Sequence, residues 1–113
     1  MTPRLPHSER AILDIRKLED YCLNPSHPRG RHKARVFREV LDLQRRDAIW
    51  LRDILLDGVR SHQASQVSSD VWGTYWRCDV GIDRQGKSAM VRTIWILRTG
   101  ENMPRFVTCW ALR

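Results

Sequence analysis

The segment His27-Pro28-Arg29-Gly30-Arg31-His32-Lys33 places two imidazoles and three permanent cations in seven consecutive residues, a density that no other stretch of the chain approaches. Metal-independent cleavage of RNA needs a base for the 2′-hydroxyl proton, an acid for the 5′-oxygen, and cations that stabilise the charge gathering on the phosphorane. Histidine, lysine and arginine suit those tasks near neutral pH. The residue types fit, but their spacing is weakly specific: the same segment also reads as a turn histidine, a histidine packed at a helix end, and surface charge. If Lys33 lies in the first turn of a helix, unpaired amides and the positive end of the dipole beside it favour a phosphate.

A second set of donors lies near the C-terminus, where Arg92, Thr93, Arg98, Arg105 and Thr108 fall in β-prone sequence. An arginine clamps a phosphate bidentately and a threonine hydroxyl donates to a non-bridging oxygen, although the same residues also serve as strand formers and surface charge. Five tryptophans invite base stacking; Trp50, Trp76 and Trp110 follow apolar patterns and are expected in the core, leaving Trp72 and Tyr75 as candidates for ligand contact. A zinc site from His27, His32 and a cysteine lacks the paired spacing the metal requires, and no strand-turn-helix nucleophile signature occurs. No metal or cofactor is expected.

The elements that must position these groups follow from periodicity. Residues 1–11 carry two prolines without a period and read as an extended arm. Asp14 can cap a short helix towards Leu23 in which Ile15, Leu18 and Cys22 share a face, closed by Asn24 and Pro25. Two prolines and a glycine then make Pro25 to Arg31 a shaped loop. A second helix begins near His32, with Val36, Phe37, Val40 and Leu41 as its apolar stripe and Arg35, Arg38, Glu39 and Asp42 opposite. Asp47 can cap a third, in which Trp50, Leu51, Ile54, Leu55 and Gly58 repeat until about Ser61.

The serine-rich stretch Ser61 to Asp70 reads as a loop, after which the period changes to 2. Thr74 to Ile82 alternates as a half-buried strand, Arg84-Gln85-Gly86 turns, and Ala89–Arg98 and Arg105–Leu112 are strands joined by TGENMP. The expectation is one α+β domain, with a helical half at 12–61 packed on one face of an antiparallel sheet of three to four strands at 70–113. Its other face is left open.

A chain of 113 residues has room for one core. Its formal net charge of +7 concentrates polyanions near so small a surface, which makes nucleic acid the leading partner class ahead of an acidic protein. No apolar run suits a signal peptide or a bilayer span, so a cytoplasmic protein is expected. Cys22, Cys78 and Cys109 are odd in number with no CxxC pair, and read as reduced core thiols.

LPHSERAILDIRKLEDYCLNPSHPRGRHKARVF, continued by VRTIWILRTGENMPRFVTCWAL, resembles a family of small bacterial domains of unknown function across nearly the whole chain. Its loop-to-helix motif NPSHPRGRHKARVF is similar to toxin tips of bacterial polymorphic secretion systems and to toxins of toxin–antitoxin pairs. Those domains in turn resemble the superfamily of barnase, EndoU, the tRNA-cleaving colicins and RelE-like toxins, in which N-terminal helices precede a four-stranded antiparallel sheet bearing the active site. The resemblance puts His27 and Lys33 in the helix-side motif, and Arg92, Arg98 and Thr108 in the strand-side one. DIRKL replaces the more usual Asp-Pro-Arg-Lys-Leu, which costs a helix-starting proline and touches no chemistry.

Together these imply a metal-independent endoribonuclease toxin acting on tRNA or another structured RNA. His27 would be its acid or base, Lys33 and Arg92 would stabilise the phosphorane and Thr108 would orient the phosphate, while Arg29, Arg31, His32, Arg98 and Arg105 bind the RNA. The alternative is a non-catalytic basic module of the same fold that binds RNA or an acidic partner, such as an antitoxin or immunity protein.

Overall fold

The computed structural model describes residues 3–113. Helices precede an antiparallel meander of four strands, β1 (Ala64–Asp70), β2 (Gly73–Arg84), β3 (Lys87–Arg98) and β4 (Arg105–Ala111), in the spatial order β1-β2-β3-β4. Helices α1 (Arg31–Leu41) and α2 (Ala48–Ser61) cover one face. Alternation decides which strand residues meet them: Cys78, Val80 and Ile82 of β2, Val91, Thr93 and Trp95 of β3, and Phe106, Cys109 and Ala111 of β4 are buried. Thr93 is the one buried polar side chain of this layer. Its hydroxyl donates to Cys78 O at 2.6 Å and accepts from Trp95 Nε1 at 2.8 Å, so it belongs to the core and cannot reach a ligand.

From the helices, Phe37 and Leu41 of α1 and Leu51, Leu55 and Val59 of α2 complete the core, with Val36, Val40, Trp50 and Ile54 packed at its margin. At Gly58 the two layers come so close that a Cβ would lie 2.6 Å from Val80 Cγ1. A glycine inside a helix costs roughly 1 kcal/mol in propensity, and here close packing on β2 is what it gains. Gln85 (φ 50°) and Gly86 (φ 83°) form the two-residue loop between β2 and β3, where two positive φ values match the twist of a tight hairpin.

Three local readings change. The serine-rich stretch after α2 is strand β1, not a loop: it pairs antiparallel with β2 from Ala64↔Cys78 to Asp70↔Gly73, with an irregularity between Gln66 and Ser68. Only Ala64 of this strand is buried, because β1 is an edge with neither face covered, and so it carries no apolar alternation. The helix after Asp14 winds as a π segment over Leu18–Cys22, while Asp14 accepts the Arg16 N–H two residues on, as a capping side chain does, and also pairs with the Arg16 guanidinium. Asp47 likewise closes the 3₁₀ turn Arg45–Asp47 through the Gln44 N–H at 2.9 Å, and also pairs with Arg84.

The N-terminal arm lies across the domain. Pro3 O accepts the Ala64 N–H at the start of β1, whereas Ile12 bridges the β4 edge through Pro104 O and the Phe106 N–H. Leu5, Ala11 and Leu13 anchor it in the core. All three cysteines are buried and unpaired.

Candidate functional site

Between the π segment and α1, the loop is fixed by the His27 side chain. Its Nδ1 accepts the N–H groups of Arg29 at 3.0 Å and Gly30 at 2.9 Å, which are orphan amides at the start of α1 with no other side-chain cap. In this arrangement the neutral imidazole carries its proton on Nε2. Gly30 is required for space and not for an unusual dihedral: its φ is −76°, but a Cβ there would collide with the Tyr21 carbonyl. The glycine therefore lets the loop lie flat against the π segment and brings the Tyr21 ring to 4.7 Å from His27, edge to face.

Lys33, in the first turn of α1, reaches the outer edge of β4 and donates from Nζ to Thr108 Oγ1 at 2.7 Å. Its ammonium lies 5.0 Å from the centroid of the Tyr21 ring and 5.4 Å from that of Trp110. The aromatic faces favour the cation without neutralising it. No carboxylate of the described residues forms an ion pair with Lys33, whereas eight other cations do have such partners. Beneath Thr108 lies the Cys22 thiol, 3.8 Å from its hydroxyl and 3.6 Å from Cys109 O. Hydrogen bonding to the Cys109 thiol, with help from Thr108 and the charge of Lys33, holds Cys22 down to about 6 against its burial; complete burial pushes Cys109 well up.

Of the residues singled out in the sequence, His27, Lys33 and Thr108 are thus joined at one corner through Tyr21. The others lie elsewhere. Arg92 is in register with Trp110, but its guanidinium is committed to Asp79, at 2.9 and 3.0 Å. That pair holds the Asp79 carboxyl below its ordinary range. Arg105 forks onto Glu101. Arg98 stands opposite Gly73 at the far end of β3, four residues beyond Ile94, the partner of Thr108, and so roughly 13 Å along the strand. Arg29 is exposed on the loop, and Arg31 and His32 are exposed at the start of α1.

The residues the sequence did not single out at this corner are Tyr21, Cys22 and Trp110. Trp110, expected in the core, is half-buried instead, because Thr108 and Trp110 fall on the opposite side of β4 from Cys109 and Ala111. Tyr75 is half-buried on the open sheet face, and Trp72 is 71% exposed at the β1–β2 turn, away from the corner. Alternate positions in β4 carried the Trp110 signal, but an edge strand leaves open which side is covered.

Two hollows flank the N-terminus of α1. One, of about 460 Å³, is lined by His32, Lys33, Val36, Trp110 and Ala111. The other, a groove of about 530 Å³, runs along the far flank of α1 between Arg31, Arg35 and Arg38 on one side and Arg45 on the other. Among the described residues, no group of three or more His, Cys, Asp or Glu side chains is placed to hold a metal ion, and no helix is long and apolar enough to cross a membrane.

Fold and corner define a class: an α+β domain whose helices precede a four-stranded antiparallel meander, with a lysine held against the last strand. The chain belongs to the family described as Domain of unknown function (DUF6883), which matches residues 4–113. No curated protein and no solved structure gives a significant match.

Proposed function

We propose that this protein is a metal-independent endoribonuclease of the toxin type that acts at the Lys33 corner on tRNA or another structured RNA. The observation that carries the reading is the Lys33 ammonium, fixed on Thr108 between two aromatic rings and left without a carboxylate. Such a cation is available to a phosphate and pre-positioned for it. In the reaction, the 2′-hydroxyl gives its proton to His27 Nε2 and the 2′-oxygen bonds to phosphorus. The bond to the 5′-oxygen breaks, and that oxygen takes a proton from solvent. Lys33 stabilises the phosphorane and Thr108 orients it. Because Nε2 can accept only when the ring proton sits on Nδ1, the two cap bonds from Arg29 and Gly30 must open as substrate binds. Arg92, paired with Asp79, has no part in this step.

The same cap favours a second reading. With Nδ1 tied, His27 only donates, and the corner binds a phosphodiester without cutting it, or meets an acidic partner such as an antitoxin. Purified protein incubated with structured RNA in EDTA separates the two. Cleavage by the wild type, lost in His27→Asn while RNA binding persists, supports the nuclease; Asn retains a carbonyl able to cap the loop but has no titrating nitrogen. Binding without cleavage in both proteins establishes the phosphodiester form of the second reading, and absence of RNA binding overturns the nuclease and leaves only the acidic partner.

A further inference from the structure

From the groove on the far flank of α1 we infer that the RNA strand adjoining the phosphate at Lys33 runs between Arg31, Arg35 and Arg38 of the helix and Arg45 facing them. This inference rests on the reading of the Lys33 corner as an RNA site. Arg31, Arg35 and Arg38 recur at i, i+4 and i+7, a row about 10 Å long on one helix face. Among the described residues, Arg31 and Arg35 form no ion pair. Arg38 and Arg45 do pair, with Asp42 and Asp20, in contacts between side chains that are each about half exposed and contribute little; Arg45 also donates from Nε to the Glu19 carbonyl at 2.6 Å, which positions it without neutralising it. Glu39, the carboxylate in the lining, pairs with Arg113 in an equally exposed contact, so four arginines of the lining stand against one carboxylate.

His32 lines both this groove and the hollow at Lys33, so the two hollows adjoin around the start of the helix. That continuity suits an extended polyanion. The arginine row, and not the floor, favours a nucleic-acid strand over an acidic protein segment. Leu23, Ala34 and Leu43 lie beneath the arginines, but none is more than 5% exposed, so the apolar surface of the groove comes with exposed Pro25 and the alkyl stems of the arginines. Bases can lie on such stems while the guanidinium groups above them bind phosphates bidentately.

The test is fluorescence anisotropy of a single-stranded oligouridine dodecamer, blocked against cleavage by 2′-O-methyl groups, titrated with the full chain over a range of salt concentrations. Arg31→Ala/Arg35→Ala should weaken binding by roughly tenfold or more and flatten the logarithmic salt slope by about 1.4. Arg10→Ala/Arg60→Ala, equal in charge and absent from the groove lining, should change neither quantity comparably. If the groove variant matches this control while Lys33→Ala still weakens binding, the strand takes another path and the inference fails with the corner intact. If neither the groove variant nor Lys33→Ala has an effect, the corner reading falls as well. Displacement of the oligonucleotide by polyglutamate of the same length, as effective as displacement by unlabelled RNA, would assign the groove to an acidic protein chain and overturn the inference.

Discussion

The open face of the sheet and the corner at the start of α1 are both rich in cations, but they use them in opposite ways. On the sheet, Arg92 is bound to Asp79 and Arg105 to Glu101, each through two hydrogen bonds. At the corner, Lys33 rests on a hydroxyl and two aromatic rings. A carboxylate neutralises a cation, whereas an aromatic face or a hydroxyl positions it and leaves its charge for an incoming anion. Net charge counts both groups alike; only the partners distinguish structural cations from available ones.

The widest separation between the two regions is expected in catalysis. On the proposed function, Lys33→Ala should lower the rate of RNA cleavage by about 10²-fold or more, the scale of losing one transition-state donor, while Arg92→Ala should leave it within a few-fold. Single-turnover rates on one structured RNA provide the comparison, and equal losses in both variants would abolish the distinction drawn here.

Next in size is the backbone that holds the corner. Gly30→Ala should destabilise the fold by about 1–3 kcal/mol, since a methyl group at this position must displace the Tyr21 carbonyl. Urea denaturation measures it, and a midpoint unchanged from wild type would mean that the loop relaxes freely. His27→Ala should cost about 1 kcal/mol through the lost cap, with most of that loss recovered in His27→Asn.

The smallest effect is expected on the sheet face. Asp79 has a folded-state pKa below its ordinary value, chiefly through its hydrogen bonds from Arg92. The stability this contributes is present above the unfolded value, near ~4, and is lost as pH falls through the folded one. For a partly exposed pair it should be no more than about 1 kcal/mol. Asp79→Asn should therefore flatten the acid limb of thermal stability and leave neutral-pH RNA affinity alone. An unchanged acid limb would show that the pair contributes nothing measurable.

Periodicity alone made α1, α2 and strands β2 to β4 legible, because each buries one regular face: Phe37 and Leu41 on one helix, Cys78, Val80 and Ile82 on one strand. It failed at β1, where an edge strand exposed on both faces leaves no apolar alternation. In the first helix it put Leu18 and Cys22 on the buried face but missed the π winding, which adds residues to the turn beyond the 3.6 of an α-helix.

The chemistry divides in the same way. Residue types in the sequence determined that His27, Lys33 and Thr108 are suited to a phosphodiester, since acid–base and donor capacity belong to each side chain. Tertiary structure alone decided which of them meet, because Lys33 and Thr108 are 75 residues apart and only the packing of α1 against β4 brings them together. It decided as well that Arg92 and Arg105 are occupied, that Trp110 stands beside Lys33 and not in the core, and that His27 Nδ1 is tied to the helix start. Each of these depends on a partner in space, a property that no residue carries by itself.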